Sequence, residues 1–316
     1  MENQTLGDGI LLLEGLNVSP QSTIPAFIIL LLIYIFAMVS NISLVSLIFL
    51  NRNLHKPVYL LYLNMSVNDI FGASAVTPHV LRHVFTPHSE RYIHYIDCVV
   101  QAFCVTLYAN INHTALMIMA FDRYVAICNP LRYATIMTNR MVVTLSVAAW
   151  GATFIAVAIL LGLTVRLSHC KRFIPNPFCD NASLFMLSCE SFLINNIYGL
   201  LYTVVIVGSS LISVALTYLR IAAVCLRSKN KVLNSKALQT CSTHLAVYVF
   251  LLVSSFVIVI LHRFPQLADH RKVVAVLAYV IVPALNAAIY GLQIKAVRQR
   301  FMTLLRNNKV SLMDVK

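Results

Sequence analysis

An acidic and a basic side chain stand next to each other where a long apolar segment ends, at Asp122 and Arg123, with Tyr124 after them. At the edge of a membrane the carboxylate offsets part of the cost of desolvating the guanidinium, and the arginine can change partners when neighbouring helices move. The alternative is an arginine that only extends toward lipid headgroups. The pair therefore predicts either a conformational switch or a simple anchor.

Asp69 lies in the middle of another apolar segment. A carboxylate at that depth of a membrane is costly unless it is paired or hydrated, so it must face the interior of a helix bundle. Its expected neighbours are Asn41 and Asn286. These side chains could form a switch network that holds Na⁺, or a hydrogen-bond cluster that only joins helices, and both interpretations stay open.

Two histidines four residues apart, His79 and His83, would share one face of a helix. That spacing can hold a divalent metal ion. Exposed histidines near lipid headgroups are the favoured interpretation. We therefore expect no metal site here, and no cofactor anywhere in the chain.

The eight cysteines divide into two groups of four. One group, expected on the outer side, can oxidise, whereas the other lies in the membrane or the reducing cytoplasm. Four outer cysteines allow three connectivities. We favour a Cys98–Cys179 disulfide between the third helix and the second outer loop, with Cys170–Cys189 closing a loop inside it; the alternative is that one of these pairs stays free.

The elements that position these residues follow from composition. Of 316 residues, 59% are hydrophobic and 11% are charged, against about 25% charged in an ordinary soluble domain. Seven apolar runs are long enough to span a membrane as helices. They cover residues 25–50, 58–80, 98–127, 141–165, 194–226, 238–261 and 273–292. The sequence therefore predicts an all-α membrane protein, one seven-transmembrane helix bundle over residues 1–316.

Basic residues set the expected orientation, because they concentrate on the cytoplasmic side of membrane proteins. Sixteen of the 24 lysines and arginines flank one side of the predicted spans. This places residues 1–24 outside the cell, with a glycosylation sequon at Asn3, and residues 295–316 in the cytoplasm. Residues 295–306 interleave basic and apolar side chains, which predicts a short amphipathic helix on the inner leaflet. The net charge of +13 then suits membrane lipids and an acidic protein partner, not nucleic acid.

Several motifs resemble one known family. Residues 119–133, with the sequence MAFDRYVAICNPLRY, resemble the signature string of odorant receptors, a branch of the rhodopsin-like G-protein-coupled receptors. Residues 57–60 followed by Asp69, three cysteines in the second outer loop, residues 236–245 and residues 283–291 resemble further parts of that family's pattern. The resemblance extends over nearly the whole chain.

This resemblance implies a receptor in the plasma membrane that binds a small odorant and activates a heterotrimeric G protein of the stimulatory type, raising cAMP. It assigns switch and coupling roles to Asp122, Arg123, Tyr124, Asn286 and Tyr290. The chain departs from the family at Ala287, where a proline is usual, and at Leu251-Leu252, where an aromatic pair is usual. The first departure should soften the kink of the seventh helix, since proline removes a backbone hydrogen bond.

Arg263, in the segment His262-Arg263-Phe264, resembles the class I, or fish-like, branch, in which an arginine at this place is associated with acidic odorants. A guanidinium above an apolar cavity could bind a carboxylate in two hydrogen bonds. The alternative is an arginine that reaches lipid phosphate or acidic loop residues. From depth and helical phase, the remaining pocket residues are expected to be Thr106, Ala109, Asn110, Tyr202, Ser255 and Val259.

Other classes of function fit less well. The sequence contains no glycine-rich phosphate loop and no catalytic motif, so we do not expect an enzyme. A transporter would favour internal repeats and several charges inside the membrane, whereas Asp69 is the only deep one. A non-olfactory chemosensory receptor for an endogenous metabolite is the main alternative within the receptors.

Overall fold

The structure is a computed structural model that describes residues 9–16, 18–227, 231–262 and 264–294, without the side chains of residues 231–240, 265, 292 and 293. Seven long helices dominate the described part of the chain. They are α1 (Pro20–Leu50), α2 (Pro57–Phe85), α3 (Tyr95–Cys128), α5 (Asn139–Val165), α7 (Leu193–Arg227), α8 (Lys231–Leu261) and α9 (Ala268–Gln293). Two short helices, α4 (Tyr133–Ile136) and α6 (Asn181–Phe185), lie in the connections between them.

Local sequence explains where several helices begin. Pro20 and Pro57 occupy the first turns of α1 and α2, where a missing backbone N–H costs nothing. Thr138 caps α5 by accepting a hydrogen bond from the backbone N–H of Met141 at 3.2 Å. The long helices extend beyond most of the expected membrane-spanning limits, because a helix can continue past the apolar region into the loops.

The helices pack around α3, which contacts α2, α5, α7 and α8. Helix α1 packs against α2 and α9, and α9 also contacts α2 and α8. One core cluster joins Leu61, Leu116 and Tyr290 at the end of the bundle near Asp122. A second cluster surrounds Cys98 and Cys179 at the opposite end, which is called the disulfide end below.

The outer surface of the bundle is apolar. Ile29, Ile155 and Val204 are each more than half exposed, as expected for side chains that face lipid. Within the described residues, six of the seven long helices are long and apolar enough to cross a membrane. The exception is α2, whose buried face carries polar side chains such as Asn68 and Asp69. Together these observations confirm the predicted helical membrane bundle.

A small β-sheet at the disulfide end departs from the all-α prediction. Strand β1 (Ile10–Leu13) lies in the middle, antiparallel to β2 (Tyr92–His94) and parallel to β3 (Phe173–Ile174). Alternate side chains of β1, Leu11 and Leu13, are buried. The N-terminal segment is thus packed between two loops, since its apolar residues find a core there.

The segment after β1 turns at Gly15, which has a φ of 74°. That value lies in the left-handed region that glycine adopts without strain. A side chain at this position would also overlap the guanidinium of Arg91. The amphipathic helix expected at residues 295–306 and the glycosylation site Asn3 lie outside the described residues.

Candidate functional site

A cavity of about 360 Å³ opens inside the bundle at the disulfide end. Its walls come mainly from α3, α7 and α8, and α6 lies at its mouth. Six of the seven expected pocket residues line it: Thr106, Ala109, Asn110, Tyr202, Ser255 and Val259. The seventh, Arg263, lies outside the described residues. That these side chains contact a ligand stays a prediction.

A buried histidine at the cavity floor, His113, connects three helices. Its Nδ1 lies 3.2 Å from Ser210 Oγ on α7, and its Nε2 lies 3.2 Å from Ser255 Oγ on α8. Ser210 Oγ also lies 3.0 Å from the hydroxyl of Tyr248. The four side chains form a chain of contacts from Tyr248 on α8 through Ser210 and His113 to Ser255 on α8, and the backbone of α8 closes it into a ring.

The other partners of Ser255 and Ser210 restrict the hydrogen bonds that His113 can make in this ring. The Ser255 hydroxyl donates to the backbone carbonyl of Leu251 at 2.8 Å. Because a serine hydroxyl has a single proton, its oxygen can only accept from His113. The same holds for Ser210, whose hydroxyl donates to the backbone carbonyl of Val207 at 2.9 Å. A neutral imidazole carries one proton, so His113 can donate to either serine but not to both. His113 was not among the pocket residues expected from the sequence, although Thr106, Asn110 and His113 follow the i, i+4, i+7 spacing of one helix face.

The mouth of the cavity carries a second polar group of side chains. His262 Nε2 lies 3.0 Å from Asp180 Oδ2, and Arg271 Nη1 lies 3.2 Å from His262 Nδ1. Arg271 Nη2 donates to Asn176 Oδ1 at 2.7 Å. This group ties the loop before α6 to the ends of α8 and α9.

Asp180 is also the N-cap of α6, accepting from the backbone N–H of Ser183 at 2.8 Å. Burial alone would raise the pKa of the Asp180 carboxyl. The attraction of His262 and hydrogen bonds from His262 and Ser183 outweigh burial and lower that pKa to about 2. Asp180 is therefore ionised at every physiological pH.

The deep carboxylate, Asp69, accepts a hydrogen bond from Asn286 Nδ2 at 3.2 Å, which joins α2 to α9. Asn41 is placed differently from the expectation. Its amide donates to the carbonyls of Ala37 at 2.9 Å and Pro283 at 3.1 Å, so it binds the backbone of α9 and not Asp69. Among the described residues, the side-chain oxygens of Asn41 and Asn286 accept no hydrogen bond, and such oxygens would suit a sodium ion or ordered water.

At the other end of α3, the expected charge pair is closed. Arg123 Nη2 and Nε lie 2.6 and 3.0 Å from Asp122 Oδ2. The second carboxylate oxygen accepts from the hydroxyl of Tyr133 at 2.8 Å. Tyr290 stacks on Tyr62 nearby, with ring centroids 4.9 Å apart, and both rings face the small gap beside Arg123.

Tyr124, at the same end of α3, stacks on Phe121, with ring centroids 6.3 Å apart. The positions at which the chain departs from the family pattern also lie near this end. Leu251 and Ala287 are both buried in the core cluster that contains Tyr290. The departures thus lie in the apolar packing between the cavity and the charge pair.

His79 and His83 of α2 were expected to be exposed near lipid headgroups, and the structure differs from this expectation at His83. His83 is only 3% exposed, so it does not face headgroups. Its ring meets that of His79 edge to face, with centroids 6.4 Å apart. In the part of the chain that the structure describes, no third histidine, cysteine or carboxylate joins them to complete a metal site.

Both favoured disulfides are present, Cys98–Cys179 and Cys170–Cys189, with Cα–Cα distances of 5.3 and 5.8 Å. Beside Cys179, Asn181 Oδ1 accepts from the Thr164 hydroxyl at 2.7 Å and is buried, which joins α6 to α5.

Known proteins that are similar to this chain over nearly its whole length are olfactory receptors. A sequence profile described as olfactory receptor matches residues 30–308. Olfactory receptor 5B17 of Homo sapiens is 32% identical over 316 residues, 100% of both chains. Olfactory receptor 52N2 of Homo sapiens is 31% identical over 282 residues, 88% of this chain and 87% of the relative. Olfactory receptor 5K16 of Mus musculus is 32% identical over 289 residues, 90% and 89% of the two chains.

Proposed function

This chain belongs to the olfactory receptor family, and we propose that it is an odorant receptor whose ligand binds in the cavity between α3, α7 and α8. Membership of a receptor family also confirms that the chain is not an enzyme. The class I branch suggested by residues 262–264 remains a prediction.

The cavity is the observation that carries this proposal. Its walls are formed largely by apolar side chains such as Val105, Ala109, Leu160 and Val207, while polar side chains stand at the mouth and the floor. An apolar pocket with a few polar groups is what a small amphiphilic molecule requires. The ligand would lie directly against the His113 ring.

The proposed orientation places the disulfide end outside the cell. Disulfides form in oxidising compartments, and the excess of basic residues belongs to the opposite end. In this orientation the cavity opens toward the extracellular space and Asp122 and Arg123 face the cytoplasm. Membership of the olfactory receptor family places the receptor in the plasma membrane.

Signalling would couple the two ends of α3. A ligand that binds more tightly when α7 and α8 separate at the Asp122 end favours that open state. Arg123 would then leave Asp122 and, with Tyr124 and the basic loops, contact the Gα subunit. Coupling to a G protein is typical of the family; a stimulatory subunit and a rise in cAMP are our proposal.

Two finer assignments also remain proposals. Arg263 would bind the carboxylate of an acidic odorant at the mouth. Asp69, Asn286 and the nearby Asn41 would form a polar network that a sodium ion could occupy in the resting state. Either assignment can fail without affecting the proposed receptor function.

The test uses cells that express the receptor and report cAMP. Small alcohols and carboxylic acids are applied to the wild type, to Ala109→Phe, which fills the cavity, and to Val100→Phe on the exposed side of the same helix. We expect at least one compound to raise cAMP in the wild type and Val100→Phe but not in Ala109→Phe.

Three results would count against the proposal. Equal responses of all three receptors would mean that the ligand binds elsewhere. Uptake of a labelled compound without a cAMP response would favour a transporter. Activation by an endogenous metabolite and by no volatile compound would favour the non-olfactory receptor.

A further inference from the structure

The hydroxyl groups along the cavity share an orientation that bears on ligand chemistry. Thr106, Thr203 and Ser255 all line the cavity. Each donates its hydroxyl proton to the carbonyl four residues earlier in its own helix, at 2.7, 2.8 and 2.8 Å. The proton of each group is therefore used inside the protein, and only oxygen lone pairs remain for a ligand.

Asn110 differs from these hydroxyl groups. Its side-chain amide nitrogen donates one of its two protons to the carbonyl of Thr106 at 2.7 Å, so the amide oxygen and the second N–H both remain for other partners. Thr106, Thr203 and Ser255 thus place a hydroxyl oxygen that accepts hydrogen bonds on each of α3, α7 and α8.

One hydroxyl at the cavity is not used in this way. Tyr202 lines the cavity, and its hydroxyl has no hydrogen-bond partner among the described residues. A buried hydroxyl without a partner is costly, so a ligand that bonds to it gains affinity. Tyr202 can donate to a ligand oxygen that at the same time donates to a neighbouring acceptor.

Charged partners for a ligand are scarce in the same space. Among the described residues that line the cavity there is no lysine or arginine, and the carboxylate of Asp180 is already paired with His262. An ionised carboxylate would thus meet the oxygen lone pairs of Thr106, Thr203 and Ser255, unless Arg263 binds it. Aldehydes and ethers have no polar hydrogen for the acceptors.

From this arrangement we infer that the cavity selects a ligand with a hydroxyl group, an aliphatic alcohol, which donates to the acceptors of α3, α7 and α8 and accepts from Tyr202. This inference rests on the proposed function, because it specifies the ligand of the same cavity.

The test measures binding without signalling. Purified receptor in lipid nanodiscs is heated with n-octanol, octanal, heptyl methyl ether or octanoate, and the rise in unfolding temperature gives the affinity. We expect n-octanol to bind about tenfold more tightly than the aldehyde or the ether, the difference of one satisfied hydrogen bond.

Variants identify the groups involved. Thr106→Val and Thr203→Val keep the side-chain shape and remove one acceptor each, so each should weaken n-octanol binding about 3- to 10-fold and leave octanal unchanged. Thr114→Val is the matched control, since Thr114 makes the same kind of bond within α3, to the carbonyl of Asn110, and is not among the residues that line the cavity.

The outcomes separate this inference from the proposed function. Equal affinity for n-octanol and octanal, or unchanged n-octanol binding in both valine variants, would overturn the inference. Binding of octanoate alone, lost in Arg263→Ala, would overturn it and leave the receptor function standing. Binding of none of the four compounds would count against both, whereas n-octanol binding without any cAMP response would contradict only the proposed signalling.

Discussion

The ammonium group of Lys272, at the start of α9, lies 2.6 Å from the carboxylate of Glu14, just beyond strand β1. Lys272 is only 1% exposed and has a second partner in Asp269 at 2.9 Å, whose side chain is largely exposed. The contact joins the N-terminal segment directly to the last helix of the bundle. A buried ammonium depends on such partners, because it has lost its hydration.

Removing Glu14 should therefore destabilise this end of the receptor. We expect Glu14→Gln to lower the free energy of unfolding by about 1–3 kcal/mol, since Asp269 retains part of the pairing. Thermal unfolding of the purified receptor measures the effect. Replacement of the exposed carboxylate Glu90 by Gln is the control, and an equal loss in both variants would refute the role of the Glu14 contact.

The approach of α2 to α3 depends on Gly72. A Cβ atom at this position would overlap the ring of Tyr108. We expect Gly72→Ala to destabilise the receptor by about 1–3 kcal/mol, the range for overpacking a core. Gly151 provides the contrast, because nothing lies within 4 Å of a Cβ added there, and Gly151→Ala should be neutral or stabilise α5 by up to about 1 kcal/mol. Similar behaviour of the two variants in thermal unfolding would contradict this packing.

The hydrogen bond from Tyr133 to Asp122 should hold the receptor in its resting state. Tyr133→Phe removes a bond of 2.8 Å and makes it easier for Arg123 to leave the carboxylate. We expect basal cAMP, normalised to receptor at the cell surface, to rise about 2- to 10-fold. Thr135→Val in the same short helix, α4, is the control, since its hydroxyl donates to the Arg132 carbonyl and not to Asp122. Unchanged basal cAMP in Tyr133→Phe would show that this bond does not restrain the switch.

The pH dependence of stability should report on Asp180. Its pKa is about 2 in the folded receptor, against about 3.9 for an unperturbed aspartate. Because the folded pKa is the lower one, the stabilisation is complete above about pH 4 and is lost as the pH falls toward 2. The shift corresponds to roughly 2 kcal/mol.

The measurement is the unfolding temperature of purified receptor between pH 7 and pH 2. Asp180→Asn should be less stable than the wild type at pH 7, and the two should converge at the acid end. Glu90→Gln, which changes an exposed carboxylate at the same end, should follow the wild type throughout. Parallel curves for Asp180→Asn and the wild type would contradict the lowered pKa.

The sequence allowed the seven helices to be predicted because each is a local pattern, a run of apolar residues of membrane-spanning length. The contact between Asp69 and Asn286 could also be anticipated, since polar side chains deep in a membrane must find one another. The side of the membrane on which each cysteine was expected identified the four that form the two disulfides, although it left three connectivities open.

Other features depend on contacts between distant segments and could not be read from local patterns. Residues 10–13 are a short apolar run. Their pairing with β2 and β3 depends on segments that lie about 80 and about 160 residues further along the chain. The burial of Lys272 beside Glu14 and the ring around His113 arise in the same way. At Asn41 the sequence does not determine the hydrogen-bond partner, because its amide could bind either a side chain or the backbone. In the structure it donates to the carbonyl of Pro283.

The position of β1 in the middle of the sheet has a consequence for biosynthesis. This strand is the first of the described elements to leave the ribosome, but it pairs with residues near 93 and 174. Its second edge therefore has no partner until α1, α2, α3 and α5 have been synthesised. Such non-local pairing is slow and leaves a strand exposed in the meantime. The element made first is thus among the last to fold, and until then its unpaired backbone is accessible to chaperones in the compartment that receives the N-terminus.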